Sequence, residues 1–251
     1  FAVEIFYKLF GNQDWAFYLL SQIFVITAFI IVFKLAFQLF DNINFAFLSL
    51  LLLEGIFFFN YTSPEFNVNI SQLPFWALSV YFSWRCLKSD KAIDYVLLGV
   101  FLGLGILSKY IFLYLIISIK LLFIYFFIQK KIKSFNFLIT GVVALIIIFP
   151  HIIWLIENNF VTFTYGMQRA SGIGKITDHI YLPLIFIFKQ LTVLIPFFLM
   201  TFFITKKINF KNIKRNQKRI FLFFTFFVPI IFIILTSIIM GVKIRTMWMT
   251  P

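Results

Sequence analysis

Long uninterrupted apolar runs, separated by short polar breaks, dominate this sequence and constrain its fold more than any other feature. About 20 consecutive apolar residues suffice for an α-helix to cross a membrane. Apolar and polar residues do not alternate within the runs, as transmembrane strands would require. The runs therefore predict an all-α, polytopic transmembrane helical bundle with about eight spans, at residues 15–39, 45–59, 71–87, 95–108, 110–128, 135–156, 181–205 and 220–240.

The composition supports a membrane protein. The 251 residues are 62% hydrophobic and 12% charged, and the mean hydropathy is +1.01. A soluble domain is about 45 to 50% apolar and about 25% charged, so that class is excluded. We expect residues 1–251 to form one incomplete membrane domain. In it, an amphipathic outer segment (1–14) precedes the bundle (15–240), and a further outer segment begins at 241–251.

The basic residues alternate between loops in a way that predicts orientation. The formal net charge is +13, and Lys and Arg collect in cytoplasmic loops. One set of loops and span ends carries 14 basic residues and the opposite set carries six, which predicts that the first set is cytoplasmic and residue 1 is outside. The first set is Lys34, Arg85, Lys88, Lys91, Lys130, Lys131, Lys133, Lys206, Lys207, Lys211, Lys214, Arg215, Lys218 and Arg219.

Most motifs indicate structure rather than chemistry. The one cysteine, Cys86, excludes an intramolecular disulfide. His151 and His179 lack partners at ligand spacing, so we predict no metal and no cofactor. The basic loop at 206–219 has one aromatic residue and lies between two spans, which favours contact with membrane lipids over nucleic acid. Gly99 and Gly103 have the spacing of a close helix–helix contact.

The predicted outer loop at residues 60–69 differs from an ordinary connection. It contains no Lys or Arg and is rich in Asn, Ser, Thr and Tyr. Sugar hydroxyls need many hydrogen-bonding partners and aromatic faces, which this loop offers. A solvated turn is an equally good interpretation of the same residues.

A lone lysine lies at the predicted outer boundary of the membrane. Lys109 follows the short span at 95–108 and precedes Tyr110. Such a cation can extend to water or bind the phosphate of a lipid head group, and position alone favours neither. The longest predicted outer segment, residues 157–180, contains Glu157, Asn158 and Tyr165. Structureless connections of such length are usually functional.

Several short motifs are distributed over most of the chain. They are Ser-Pro-Glu-Phe-Asn-Val-Asn at 63–69, Leu-Pro-Phe-Trp-Ala-Leu at 73–78, Tyr81-Phe82, Gly-Leu-Gly-Ile-Leu-Ser-Lys-Tyr at 103–110, Pro-His-Ile-Ile-Trp-Leu at 150–155, Glu-Asn-Asn-Phe at 157–160, Tyr165, and residues 242–251 with Arg245, Trp248 and Pro251. Together these motifs resemble family 39 membrane glycosyltransferases, which are similar to protein O-mannosyltransferases and to the aminoarabinose transferase of lipid A.

The resemblance implies a C-type glycosyltransferase-like fold and transfer of a sugar from a polyprenyl-phosphate donor on the non-cytoplasmic face. It implies a lipid, glycan or protein acceptor and an inverting displacement in which the lipid phosphate leaves. Lys109 is the first choice for binding that phosphate and Arg245 the second. The family's catalytic acid is expected upstream of Phe1. Sugar- or acceptor-binding residues would be Glu65, Asn67, Asn69, Tyr110, Glu157, Asn158 and Tyr165.

The resemblance and the compositional bias of the sequence together indicate a bacterial inner membrane with the active face periplasmic or extracellular, and the endoplasmic reticulum is the alternative location. A transporter or flippase of lipid-linked sugars remains the alternative, because it would use the same polar outer cavity without chemistry. Such proteins often contain inverted repeats and interrupted helices.

Overall fold

All regular secondary structure described in the computed structural model is helical, which confirms the predicted fold class. The structure describes residues 2–132, 135–170, 175–205 and 217–249. Lys133 and residues 206–216 of the predicted basic set lie outside this part. The α-helices of the described residues are α1 (Ala2–Phe10), α2 (Asp14–Phe40), α3 (Ile43–Glu54), α4 (Val68–Ser89), α5 (Ala92–Ser108), α6 (Leu113–Ile128), α7 (Phe137–Glu157), α8 (Val161–Ala170), α9 (Asp178–Val193), α10 (Ile195–Thr205), α11 (Gln217–Leu222) and α12 (Val228–Met240).

The number of spans is lower than predicted. In the described residues, four helical segments are long and apolar enough to cross a membrane. The pair α9 and α10, bent by 51°, makes a fifth if it counts as one span. The four are Asp14–Phe40, Tyr110–Ile128, Phe137–Glu157 and Gln217–Met240.

The prediction of about eight spans is therefore wrong, for reasons of length and polarity. Helix α3 has 12 residues and α5 has 17, about 18 and 26 Å at 1.5 Å per residue. Helix α4 is long enough but buries polar side chains, including Gln72, Ser79 and Ser83. Because these polar side chains face protein rather than lipid, counting apolar runs in the sequence overestimated the number of spans.

The long apolar helices keep much of their hydrophobic surface exposed, as expected for contact with lipid. Only Thr140 and Ala144 are buried in α7, whereas Leu145 and Ile146 are 61% and 66% exposed. Helix α1 has no buried residue. This pattern and the apolar spans identify an integral membrane protein.

Aromatic side chains fill the main core, which α2, α4, α5, α6 and α11 build together. Trp84, Tyr95, Phe112, Phe126 and Phe221 are fully or almost fully buried in one cluster. Each of these large side chains removes a large apolar area from lipid and water.

The glycine pair permits a close contact between α5 and α7, as predicted. A Cβ at Gly99 would lie 2.7 Å from the Thr140 carbonyl oxygen, and one at Gly103 would lie 2.9 Å from Ile147 Cβ. The missing side chains therefore let the two helix backbones approach. This contact fixes the α5–α6 junction, which carries Lys109, relative to α7.

Candidate active site

Polar capping interactions give the loop between α3 and α4 a defined shape. Asn67 is the N-cap of α4, and its Oδ1 accepts from the backbone N–H of Asn69 at 2.8 Å and of Ile70 at 3.3 Å. Such a cap satisfies donors that the first helical turn leaves unpaired. Ser21 Oγ on α2 donates to the Ser63 carbonyl at 2.5 Å and ties the loop to a membrane span.

This loop forms one wall of a cavity of about 690 Å³. The volume falls within the range of small-molecule sites, about 300 to 1,000 Å³. Of the described residues that line it, only Glu65 carries a formal charge. The lining consists of Tyr18, Phe57, Phe58, Tyr61, Thr62, Pro64, Glu65, Asn67, Asn69, Ile70, Val193, Thr246 and Met247.

Three of the predicted sugar-binding residues, Glu65, Asn67 and Asn69, therefore line the same cavity. Asn67 Nδ2 donates to the backbone carbonyl of Glu65 at 3.0 Å, so this hydrogen bond does not involve the Glu65 carboxylate. The cavity thus combines a carboxylate and amides with the rings of Tyr18, Phe57 and Tyr61. This is the mixture of hydrogen-bonding groups and aromatic faces that carbohydrate recognition requires.

Lys109 contacts the side-chain amide of Asn69, which lines the cavity. Its Nζ donates to Asn69 Oδ1 at 2.5 Å, so the cation and the cavity share a side chain. Lys109 is half-buried and lies between α5 and the span that begins at Tyr110. Burial disfavours the charged ammonium and lowers the pKa of Lys109 from 10.5 to about 8.

No carboxylate lies within 4.0 Å of Lys109 among the described residues, where the two ion pairs are Glu4–Lys8 and Arg85–Asp94. A half-buried cation whose contact is a neutral amide retains its attraction for an anion. An anionic group that displaced or joined Asn69 would supply the missing charge.

Tyr110 belongs to a polar cluster with His151 and Thr162. Its hydroxyl is 2.8 Å from His151 Nε2 and 2.6 Å from Thr162 Oγ1, and it does not line the described cavity. The ring of His151 also stacks on Trp154, at 5.6 Å between centroids. Tyr110 therefore joins the α5–α6 junction to α7 and α8.

Sequence reasoning missed His151 and Thr162 as partners of Tyr110. They lie 41 and 52 residues along the chain from Tyr110, so no local spacing relates them. The one available signal was a histidine without a partner at ligand spacing. In the described residues no group of three or more His, Cys, Asp or Glu is placed to hold a metal ion.

The predicted residues of the outer segment do not line the described cavity. Glu157 and Asn158 are exposed, and Asn158 Nδ2 donates to the Trp154 carbonyl at 2.8 Å. Tyr165 is 58% exposed on α8. Residues 171–174 of this segment lie outside the described chain.

Arg245 lies in a segment that does reach the cavity. Thr246 and Met247 form part of the wall, and the backbone N–H of Lys243 donates to the Ala170 carbonyl at 2.8 Å. Arg245 itself is half-buried. The structure thus brings Thr246 and Met247 to the same cavity as Glu65, although about 180 residues separate them in the sequence.

Comparison with known proteins gives one family match. A family model described as dolichyl-phosphate-mannose-protein mannosyltransferase matches residues 1–154. This range contains the loop at 60–69, Lys109, Tyr110 and His151, but not Glu157, Asn158, Tyr165 or Arg245. No curated protein and no solved structure matches the chain.

Proposed function

The chain belongs to the dolichyl-phosphate-mannose-protein mannosyltransferase family, and on that premise we propose a sugar transfer from a polyprenyl-phosphate donor to a lipid, glycan or protein acceptor. The family implies a membrane glycosyltransferase of the mannosyltransferase type. The observation that carries the finer proposal is the contact between Lys109 and Asn69, beside a polar cavity of about 690 Å³.

In the proposed reaction, an acceptor hydroxyl attacks the anomeric carbon of the sugar, forms the new glycosidic bond and releases its proton to solvent. The bond from that carbon to the donor phosphate breaks, and the lipid phosphate leaves with the electron pair. Negative charge therefore grows on the phosphate in the transition state. The Lys109 ammonium, held in place by Asn69, stabilises this charge because it is fixed before the reaction begins.

Arg245 is the second candidate for the donor phosphate. Its neighbours Thr246 and Met247 line the same cavity as Asn69. A guanidinium can bind a phosphate through two parallel hydrogen bonds, which an ammonium cannot. Lys109 therefore binds the phosphate in the transition state, and Arg245 makes a supporting contact with it.

The sugar occupies the cavity in this proposal. The Glu65 carboxylate and the amides of Asn67 and Asn69 orient its hydroxyls, while Tyr18 and Tyr61 provide apolar faces. Tyr110 does not contact the sugar in this proposal, because its hydroxyl is hydrogen-bonded to His151 and Thr162. It helps to position the α5–α6 junction that carries Lys109. Glu157, Asn158 and Tyr165 are proposed to contact the acceptor, because they are exposed and lie outside the cavity lining.

A transfer assay in liposomes tests this function. The full-length protein would be supplied with a polyprenyl-phosphate sugar, and transfer to an acceptor would be measured for the wild type, Lys109→Ala and the control Lys175→Ala. Loss of one group that stabilises developing charge costs about 10² to 10³ in kcat. We expect that loss for Lys109→Ala alone. Unchanged turnover in Lys109→Ala would remove Lys109 from the site, and donor translocation without any transfer would favour a flippase.

The proposed active face is non-cytoplasmic, and the proposed location is a bacterial inner membrane. The charge asymmetry of the loops supports this face. Tyr61 is 77% exposed, whereas the native Cys86 is 0% exposed, so a thiol at position 61 would be selectively labelled. We expect a membrane-impermeant maleimide to label Tyr61→Cys, but not Lys91→Cys, in intact cells. The reverse labelling would contradict the proposed orientation.

A further inference from the structure

A group of lysines lies beside buried aromatic rings at the end of the bundle opposite the cavity. Helix α4 begins beside the cavity at Val68 and ends at Ser89 after 22 residues, a length of about 33 Å. Near its end, Lys88 Nζ lies 5.8 Å from the centroid of the Trp84 ring. Lys131 Nζ lies 5.6 Å from the Phe126 ring, just beyond the end of α6.

A third lysine joins the group through α11. The rings of Trp84 and Phe221 are 4.9 Å apart, and Lys218 lies three residues before Phe221 on the same helix. Lys218 Nζ donates to the Leu39 carbonyl at 2.5 Å, at the end of α2. Trp84, Phe126 and Phe221 belong to one buried hydrophobic cluster, to which α2 contributes Leu39.

The acidic residues of the turn between α4 and α5 already have partners. The Asp94 carboxylate is 3.0 Å from the Arg85 guanidinium and accepts from Ser89 Oγ at 2.6 Å. Asp90 accepts from the Tyr95 hydroxyl at 2.8 Å. Lys88 and Lys131 have no carboxylate within 4.0 Å in the described chain, so their charges are available to an external anion.

The surroundings of these lysines are apolar. Ile128 and Phe135 flank Lys131 in sequence and are 69% and 64% exposed. A soluble anion would gain nothing from exposed apolar side chains, whereas a phospholipid presents a phosphate beside its acyl chains.

We propose that this lysine group binds the phosphate of an anionic phospholipid head group, with Lys88 and Lys131 as its principal cations. Cation–π contacts with Trp84 and Phe126 hold both ammonium groups at the rim of the bundle. The proposal is independent of the sugar-transfer reaction, since the group lies at the far end of α4 from the cavity.

Thermal unfolding of the full-length protein in detergent micelles tests the proposal, with phosphatidylglycerol, phosphatidylcholine or inorganic phosphate added separately. We expect phosphatidylglycerol to raise the Tm in a saturable way and phosphatidylcholine to leave it unchanged. Equal stabilisation by both lipids would overturn the proposal. Saturation by inorganic phosphate, with no further gain from phosphatidylglycerol, would overturn it in favour of a soluble anion.

Matched double variants locate the site. Each lysine near an anionic lipid is worth about fivefold in affinity, so Lys88→Gln/Lys131→Gln should raise the apparent Kd for phosphatidylglycerol about 30-fold. The control Lys175→Gln/Lys243→Gln removes the same charge elsewhere and should keep the wild-type Kd. Lys88→Arg/Lys131→Arg should also keep it, which separates lost charge from poor folding. An equal loss in both Gln variants, or none in the first, would refute the assignment.

Discussion

Raising the pH through about 8 should weaken donor binding, because Lys109 then loses the charge that attracts the phosphate. Burial lowers the pKa of this lysine from 10.5 to about 8. With that pKa, the lysine is about 90% charged at pH 7 and about 10% charged at pH 9. We therefore expect kcat/KM for the polyprenyl-phosphate sugar to fall about tenfold between these two values.

The assay is initial-rate sugar transfer in liposomes across pH 6 to 9.5, at donor concentrations below and above KM. The kcat/KM profile reports groups of the free enzyme, whereas kcat reports the complex. A bound phosphate favours the charged lysine and raises its pKa. The alkaline fall in kcat should therefore occur at higher pH than the fall in kcat/KM.

Lys109→Arg is the matched control for this profile. A guanidinium stays protonated throughout the range, so this variant should lose the alkaline fall even if its rate at pH 7 is lower. A wild-type profile that is flat between pH 7 and 9 would refute the reasoning. So would an identical alkaline fall in Lys109→Arg, because another group would then be titrating.

Three further predictions concern stability, which thermal unfolding in detergent would measure. Because the pKa of Lys109 is lower in the folded than in the unfolded protein, the free energy of unfolding should rise as the pH increases from about 8 to 10.5. Lys109→Met should therefore stabilise the fold at pH 7 by about 1 to 2 kcal/mol, a value reduced for the partial exposure of the side chain. An unchanged or lower Tm for this variant would contradict this. Gly99→Val should push α5 away from Thr140 and lower the free energy of unfolding by about 1 to 3 kcal/mol. The control is Gly141→Val, which should not lower the Tm through a clash because a Cβ at Gly141 would meet nothing within 4 Å. Similar losses in both variants would argue against a close contact between α5 and α7. Arg85→Ala should lower the free energy of unfolding by about 2 to 4 kcal/mol, because it leaves the Asp94 carboxylate buried without its cation. Adding Asp94→Asn to the same chain should restore part of this loss. The absence of any rescue would show that the unpaired carboxylate is not the cause.

The sequence was sufficient to predict the fold class and the polar loop because both depend on local patterns. Apolar runs indicate helices, and the absence of basic residues at 60–69 separates this loop from its neighbours. The position of Lys109 was also visible, because it interrupts two apolar segments. Its contact with Asn69, 40 residues earlier, depends on how α4 and α5 pack and could not be read from spacing.

The number of spans and the surroundings of Tyr110 were not predictable in the same way. Both α3 and α5 are strongly apolar, but hydropathy does not show that α3 stops at Glu54 or that α4 directs Gln72 into protein. The Tyr110 hydroxyl meets His151 and Thr162 only after α7 packs against α5. Such partners are set by tertiary packing, which leaves no periodic signal in the sequence.

Cross-linking of the donor lipid tests the central claim most directly. A polyprenyl phosphate with a photoreactive group beside its phosphate would be irradiated with the full-length protein, and the adducts would be mapped by mass spectrometry. We predict adducts in peptides that contain Asn69 or Lys109, reduced by competition with unlabelled polyprenyl phosphate. Competable adducts confined to the separate groove of Tyr181, Phe188 and Lys189, with none near Asn69, would contradict the placement of the donor phosphate beside Lys109.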